Sequence, residues 1–331
     1  MIKFNEQDLI SNIRGALALR GRIERIVDAA DKKGVGNICY LGIGGTWASC
    51  MQATVHMKEL STLEVFALNA AEYIATGDRR VNGKTFAVIS SVTGTTEEML
   101  EAVAKMRAAG AFVLGFVDKA DSPLAASVDA CISCPHNEQL KFFMVADRFL
   151  HNEGSFGEYD DYYAQLDESL PRALADAEKD ADAFGLAFAK KHLRDTLHYF
   201  VGAGTLYGAT YSYAMCYWEE MHWMRTKSIH AAEFFHGMLE IVDADTPVTV
   251  FVGEDSQREL ALRVARFLPK ICENYTIIDT KAYALAGISE KYRGSLSHLL
   301  MHAVTNRIDA HIEALSGHDM KLRRYYRKVE Y

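Results

Sequence analysis

Asn37-Ile38-Cys39-Tyr40-Leu41 is a short apolar run that passes straight into Gly42-Ile43-Gly44-Gly45-Thr46, after which the apolar spacing turns helical. Leu197-His198-Tyr199-Phe200-Val201 passes in the same way into Gly202-Ala203-Gly204-Thr205. Each reads as a buried strand, a glycine turn and a helix. The parallel continues downstream. Thr85-Phe86-Ala87-Val88-Ile89 leads into Ser90-Ser91-Val92-Thr93-Gly94-Thr95-Thr96-Glu97-Glu98, and residues 248–252 lead into Gly253-Glu254-Asp255-Ser256. In both copies a helical pattern (99–109, 259–268) and a further apolar run (112–117, 275–278) follow. Apolar strands alternating with helices predict α/β architecture, with parallel sheets covered on both faces. Two copies of one such unit account for the 331 residues, since a domain holds about 150. The expected division is 1–160 and 161–331, with the acidic helix-favouring stretch 161–194 connecting or bracing the halves.

Composition narrows the function. Hydrophobic residues make up 49% and charged residues 24%, with only five prolines, as in a folded chain with a sizeable core. The net charge of −8 argues against non-specific binding to nucleic acid or anionic membrane. No stretch approaches the ~18 consecutive apolar residues of a spanning helix. The N-terminal residues break their apolar positions with charges and read as a single amphipathic helix rather than a signal peptide. Most of the six cysteines (39, 50, 131, 134, 216, 272) lie among apolar neighbours, which fits reduced thiols and a cytoplasmic location. Cys131-Ile132-Ser133-Cys134 resembles half a zinc site, but no second Cys/His pair of matching spacing follows.

The glycine turns are not dinucleotide fingerprints. Counted from Gly42, the last glycine of G-x-G-x-x-G falls on Trp47, and the P-loop Lys-Ser/Thr is absent. No cofactor is expected. The turn at 90–98 is more informative, because it sets five hydroxyls and a glycine where a buried strand ends and a helix begins. Unpaired N–H groups and the positive dipole end favour an anion there. A capping box needs one hydroxyl, so this turn reads as a phosphate cradle built on Ser91, Thr93 and Thr96. The corresponding turn of the second half lacks the cluster, which suggests that the two copies divide their duties.

Acid–base candidates lie in the second half. A helical run over 209–223 carries Glu219 and Glu220, and three- and four-residue spacing puts Glu220 on a face with Cys216, Trp223 and Met224. A carboxylate on such a face needs a partner, or its pKa rises towards that of a useful base. Next come His230, Glu233, His236 and Glu240. They are metal-ligand types, but on one helix residues six apart point about 240° from each other. Lys321, Arg323, Arg324, Arg327 and Lys328 form a basic C-terminal run that reads as a solvated tail.

Several of these residues together resemble a known family. Ser91-Val92-Thr93-Gly94-Thr95-Thr96 and the Glu220-x15-His236-Gly237 spacing are similar to sugar isomerase (SIS) domain proteins, including the isomerase half of glucosamine-6-phosphate synthase. Gly44-Gly45-Thr46, Glu233-Phe234-Phe235-His236-Gly237 with Glu240-Ile241, and Tyr325-Tyr326…Val329-Glu330-Tyr331 bring the likeness closer to the fructosamine-6-phosphate deglycase group. The resemblance implies two flavodoxin-like, three-layer SIS domains with a five-strand parallel sheet in each, and a homodimer or dimer of dimers. It implies phosphate held by Ser91, Thr93 and Thr96, a sugar site lined by Gly45 and Thr46, Glu220 as base, and His236 as acid from the neighbouring subunit. Lys328 would bind phosphate or carboxylate. The expected reaction is cleavage of a phosphorylated sugar–amine C–N bond by cofactor-free acid–base catalysis. Its alternatives are an aldose–ketose isomerase and a sugar-phosphate-binding regulator.

Overall fold

A computed structural model describes residues 1–326 and 328–330. Contacts divide the chain into two compact units, Gln7–Pro171 and, with Met1–Glu6, the chain from Arg172 onward. The first contains α1 (Glu6–Leu17), α2 (Arg20–Asp31), β1 (Asn37–Gly42), α3 (Gly45–Leu60), β2 (Glu64–Asn69) and α4 (Ala70–Thr76). It continues with β3 (Thr85–Ser91), α5 (Glu97–Ala108), β4 (Phe112–Val117), α6 (Pro123–Ser127), β5 (Ala130–Ile132) and α7 (Glu138–Asn152). The N-terminal region is therefore two helices where one was expected; the second begins after Leu19. The next helix, α8 (Tyr159–Asp180), is shared between the units, and its side chains explain why. In its first half the Tyr159 and Tyr163 hydroxyls donate to Glu24 and Asp147, whereas Glu178 in its second half pairs with Arg307.

All five strands of the first sheet are parallel, in the order β2-β1-β3-β4-β5. Alternation sends Cys39, Leu41, Ala87 and Ile89 to one face, against Tyr73, Met99 and Val103 of α4 and α5. Tyr40, Phe86 and Phe116 take the other face, where their rings meet Phe142 and Phe149 of α7. Both faces are thus covered, and β1 and β3 are buried along their whole length. Gly42 lets β1 turn into α3, since a Cβ there would lie 2.7 Å from the Thr46 carbonyl carbon.

The second unit holds α9 (Asp182–His192), β6 (His198–Gly202), α10 (Thr205–Ser212), β7 (Thr226–His230), β8 (Val248–Val252), α11 (Arg258–Phe267), β9 (Tyr275–Asp279) and α12 (Arg293–Ser316). Its parallel sheet runs β7-β6-β8-β9, so among the described residues it has four strands and not the expected five. After β9 the chain takes two short 3-10 turns (Thr280–Ala282, Glu290–Tyr292) and buries Leu285 and Ile288 without forming a ladder. Phe200, Phe251 and Ile278 pack on α9 and α12, and Val201, Val250 and Val252 pack towards α11.

A buried polar knot ties α9 to this sheet. Asp195 Oδ2 accepts from Nδ1 of His192 and of His198, each at 2.8 Å, and His198 Nε2 lies 2.8 Å from Thr249 Oγ1. Burial lowers the His198 pKa to about 4, against the pull of Asp195. The unfolded chain, with an ordinary histidine near 6.5, takes the proton first as pH falls. Stability should therefore decline from about pH 6.5 to about pH 4, by about 3 kcal/mol from this residue. Urea unfolding across that range should show the slope in wild type and a shallower one in His198→Asn; equal slopes would refute the assignment.

Candidate active site

In an open parallel sheet, ligands bind beyond the carboxyl ends of the strands, where the strand order reverses. The first sheet reverses between β1 and β3. The two turns singled out in the sequence leave these same strands. Gly45 is exposed at the start of α3, and the hydroxyl of half-buried Thr46 donates to Glu138 Oε2 at 2.9 Å. Beyond β3, buried Ser91 accepts the Gly94 N–H on its Oγ at 3.0 Å and closes the turn. Thr93 Oγ1 accepts from the Thr95 hydroxyl at 3.2 Å. Thr96 precedes α5, but its side chain caps none of that helix's N–H groups. The hydroxyl is thus not spent on a capping box, and the uncapped, positive end of a twelve-residue helix follows the turn.

Gly94 is required by this geometry. Its φ is +65°, and a Cβ would sit 2.0 Å from Ser122 Oγ. Gly94→Ala should lower stability by roughly 1–3 kcal/mol and raise KM for a phosphorylated substrate far more than it lowers kcat. Steady-state kinetics would contradict a phosphate role for the turn if KM were unchanged.

Two further charged groups, Lys141 and Asp118, lie close to this turn. Lys141 is fully buried, and its ammonium donates to the Cys134 carbonyl at 2.7 Å and lies 4.0 Å from Asp118 Oδ1. Burial lowers the Lys141 pKa and raises that of Asp118. Asp118 follows β4 and donates its N–H to the Ser91 carbonyl. His136 and Asn137, both left-handed at φ +65° and +54°, turn the chain into α7. Sequence reasoning missed Asp118, Glu138 and Lys141. A signal was present for one of them: Lys141 is the lone charge in Leu140-Lys141-Phe142-Phe143-Met144-Val145.

The equivalent crevice of the second sheet, between β6 and β8, is filled by the protein itself. Asp255 Oδ2 accepts both the N–H and the hydroxyl of Thr205 at 2.8 Å, and Oδ1 accepts the Gln257 N–H at 3.0 Å. A carboxylate thus occupies the start of α10, the position that an anionic ligand would take.

Glu220 sits differently from the sequence expectation. After Ser212 the helix widens into a π-helix over Tyr213–Glu219, with bonds from Glu220 N–H to the Met215 carbonyl and from His222 N–H to the Tyr217 carbonyl. The wider turn breaks the three- and four-residue spacing that placed Glu220 on a buried face. Glu219 and Glu220 are both exposed; Glu219 accepts from the Thr226 hydroxyl, and Glu220 Oε1 accepts from Arg323 Nε at 2.8 Å. Behind them, Tyr213 and His222 both reach buried Asp309, at 3.1 and 3.0 Å, and fix the π segment.

Arg323 belongs to the C-terminal tail, which helps to line a cleft of about 880 Å³ with Asp195, Glu219, Glu220, Trp223 and Tyr325. Arg324 lies 4.2 Å over the Trp223 ring, and Lys328 donates to the Arg323 carbonyl. Glu220, Arg323 and Lys328 are thus brought together, and Arg323 is a contact that sequence reasoning did not name. Arg327 and Tyr331, parts of the basic run and of the terminal motif, lie outside the described residues.

His236 is exposed on a single 3-10 turn (Phe234–His236) and does not line that cleft. His230 ends β7 with Nδ1 accepting the Ala232 N–H, so the single helix on which the metal reading was set aside does not form. Among the described residues the one cluster with metal-ligand geometry is His192, Asp195 and His198, whose hydrogen bonds are those of the knot above. Cys131 and Cys134 are free thiols.

Comparison with known proteins follows the same lines. The SIS domain family matches residues 33–146. The fructosamine deglycase of Bacillus subtilis is 27% identical over 326 residues, covering 94% of this chain and 98% of its own. A fructoselysine 6-phosphate deglycase of Escherichia coli is 25% identical, over 92% of this chain and 89% of its own. A crystal structure of a Bacillus subtilis candidate phosphosugar isomerase superposes with a TM-score of 0.87 at 25% identity, covering 95% of this chain and 99% of that one. With a SIS match over residues 33–146, the same strand–turn–helix plan in the second sheet and relatives aligned along nearly their whole length, the chain carries a SIS domain and is similar throughout to proteins described as deglycases and phosphosugar isomerases.

Proposed function

We propose that this chain is a phosphosugar deglycase. It would split the C–N bond of a 6-phosphorylated ketose–amine conjugate into a hexose 6-phosphate and a free amine. The observation that carries the reading is the nearly full-length likeness to two proteins named as deglycases, one of fructosamine and one of fructoselysine 6-phosphate. The hydroxyl turn before an uncapped helix supports a phosphate ligand, held by Ser91, Thr93 and Thr96. Gly45 and Thr46, beside Glu138, would face the sugar.

In this reading Glu220 removes the proton from the sugar carbon that lies between the amine nitrogen and the carbonyl. That proton is acidified by the carbonyl, and the resulting enaminol is reprotonated at the former carbonyl carbon. The nitrogen gives up its proton, and a C=N bond remains. Water adds to that carbon, His236 protonates the departing nitrogen, and an aldose 6-phosphate and the amine are released. Each well-placed group contributes about 10²–10⁴-fold. The exposure of His236 on one chain supports its donation by a second copy, and hence a homodimer, in the cytoplasm where sugar phosphates are held. Lys328 orders the tail next to Arg323 and offers a cation for the substrate's carboxylate or phosphate. An aldose–ketose isomerase would share the first proton transfer and stop before C–N cleavage; the isomerase description of the superposed crystal structure favours it as the second reading.

The test is amine release from a fructosyl-lysine with and without its 6-phosphate. The phosphorylated conjugate should react with a KM lower by at least tenfold. Equal KM values would remove the phosphate cradle from the account.

A further inference from the structure

The opposite edge of the first sheet, where β3, β4 and β5 begin, holds a pocket of about 670 Å³ that the proposed reaction does not use. Its volume lies in the range of sites for drug-sized ligands. Arg22, Arg25, Lys33 and Lys84 line it, against a single carboxylate, Asp129. Asp129 is already engaged: Arg107 pairs with it at 2.9 Å, and the Val113 N–H donates to it. Arg22 donates to the Cys131 carbonyl, and among the described residues Arg25, Lys33 and Lys84 have no acidic partner. Four like charges around one concavity repel each other, and in a chain of net charge −8 they make a local positive field that concentrates anions.

The floor is apolar. Ile26 and Ala30 of α2 contribute to it, as does the half-buried ring of Phe112, which stacks on Phe86 with centroids 5.4 Å apart. A flat aromatic surface beside a ring of cations suits a ligand with a planar body and a phosphorylated end. We propose that this pocket binds a nucleoside phosphate, at a site distinct from the carboxyl-edge crevice and independent of the deglycase reading.

Calorimetric titration of the full chain with ADP, with ribose 5-phosphate and with adenosine tests the assignment. ADP should bind with saturation below about 1 mM and at least tenfold more tightly than either fragment. Arg25→Ala and Lys84→Ala, both at exposed positions, should each weaken ADP binding by about tenfold. Ala29→Trp, which fills the pocket without touching its charges, should abolish binding while leaving the thermal midpoint in place. Fructose 6-phosphate should not displace ADP. Absence of saturable ADP binding, equal affinity for ribose 5-phosphate, indifference to all three variants or competition by fructose 6-phosphate would each overturn the proposal.

Discussion

Glu220→Gln should reduce amine release by about 10²–10⁴-fold and leave KM and the fold nearly unchanged. The substitution keeps the shape of the side chain and removes only its ability to take a proton. Glu220 is exposed, and its single ion pair, to Arg323 at 2.8 Å, is of the surface kind that contributes little to stability. A loss of activity without a shift in unfolding midpoint therefore isolates the chemistry. Glu219→Gln is the matched control, because Glu219 is also exposed but hydrogen-bonds the Thr226 hydroxyl. It should retain activity within a few-fold. The reverse pattern, with Glu219 essential and Glu220 dispensable, would show that the π-helix presents the other carboxylate to the substrate.

Arg307→Met should have the largest effect on stability, about 3–5 kcal/mol. The Arg307 side chain is almost wholly enclosed on α12. Its Nε and one terminal nitrogen donate to Asp182 Oδ1 at 2.9 and 2.7 Å, the same nitrogen reaches the Ile2 carbonyl, and Glu178 Oε1 stands 3.5 Å from the other. Removing the cation leaves Glu178, which is itself buried, without its counter-charge. Relaxation is restricted because α9 lies hard against this residue: a Cβ at Gly185 would fall 2.8 Å from the Arg307 carbonyl carbon. Arg307→Lys should recover only part of the loss, since an ammonium lacks the fork that serves Asp182 and Ile2 together. A change below about 1 kcal/mol in urea unfolding would mean that water or rearranged side chains replace the guanidinium.

Much of the fold could be read from residues 37–46, 85–98, 197–205 and 248–256, because a parallel strand buried on both faces has to be continuously apolar and then needs a glycine to turn. The hydroxyl-rich turn at 90–98 was legible for the same local reason. The surroundings of Glu220 were not legible: ordinary helical spacing put it beside Cys216, whereas the π-helix turns it outward onto Arg323. Nothing local marks that widening, which is fixed by Tyr213 and His222 reaching Asp309 far along the chain. The four strands of the second sheet among the described residues, where five were expected, and the filling of its crevice by Asp255 likewise depend on tertiary contacts. Lys141 could have been suspected from its apolar neighbours, but its pairing with Asp118 could not.

The most direct measurement is mass spectrometry of the products formed from a panel of 6-phosphorylated sugar–amino-acid conjugates, with wild type beside Glu220→Gln and His236→Ala. The account predicts free amino acid and an aldose 6-phosphate from wild type, with both lost in each variant. A mass-neutral conversion of the conjugate, or release of amine undiminished in both variants, would contradict it.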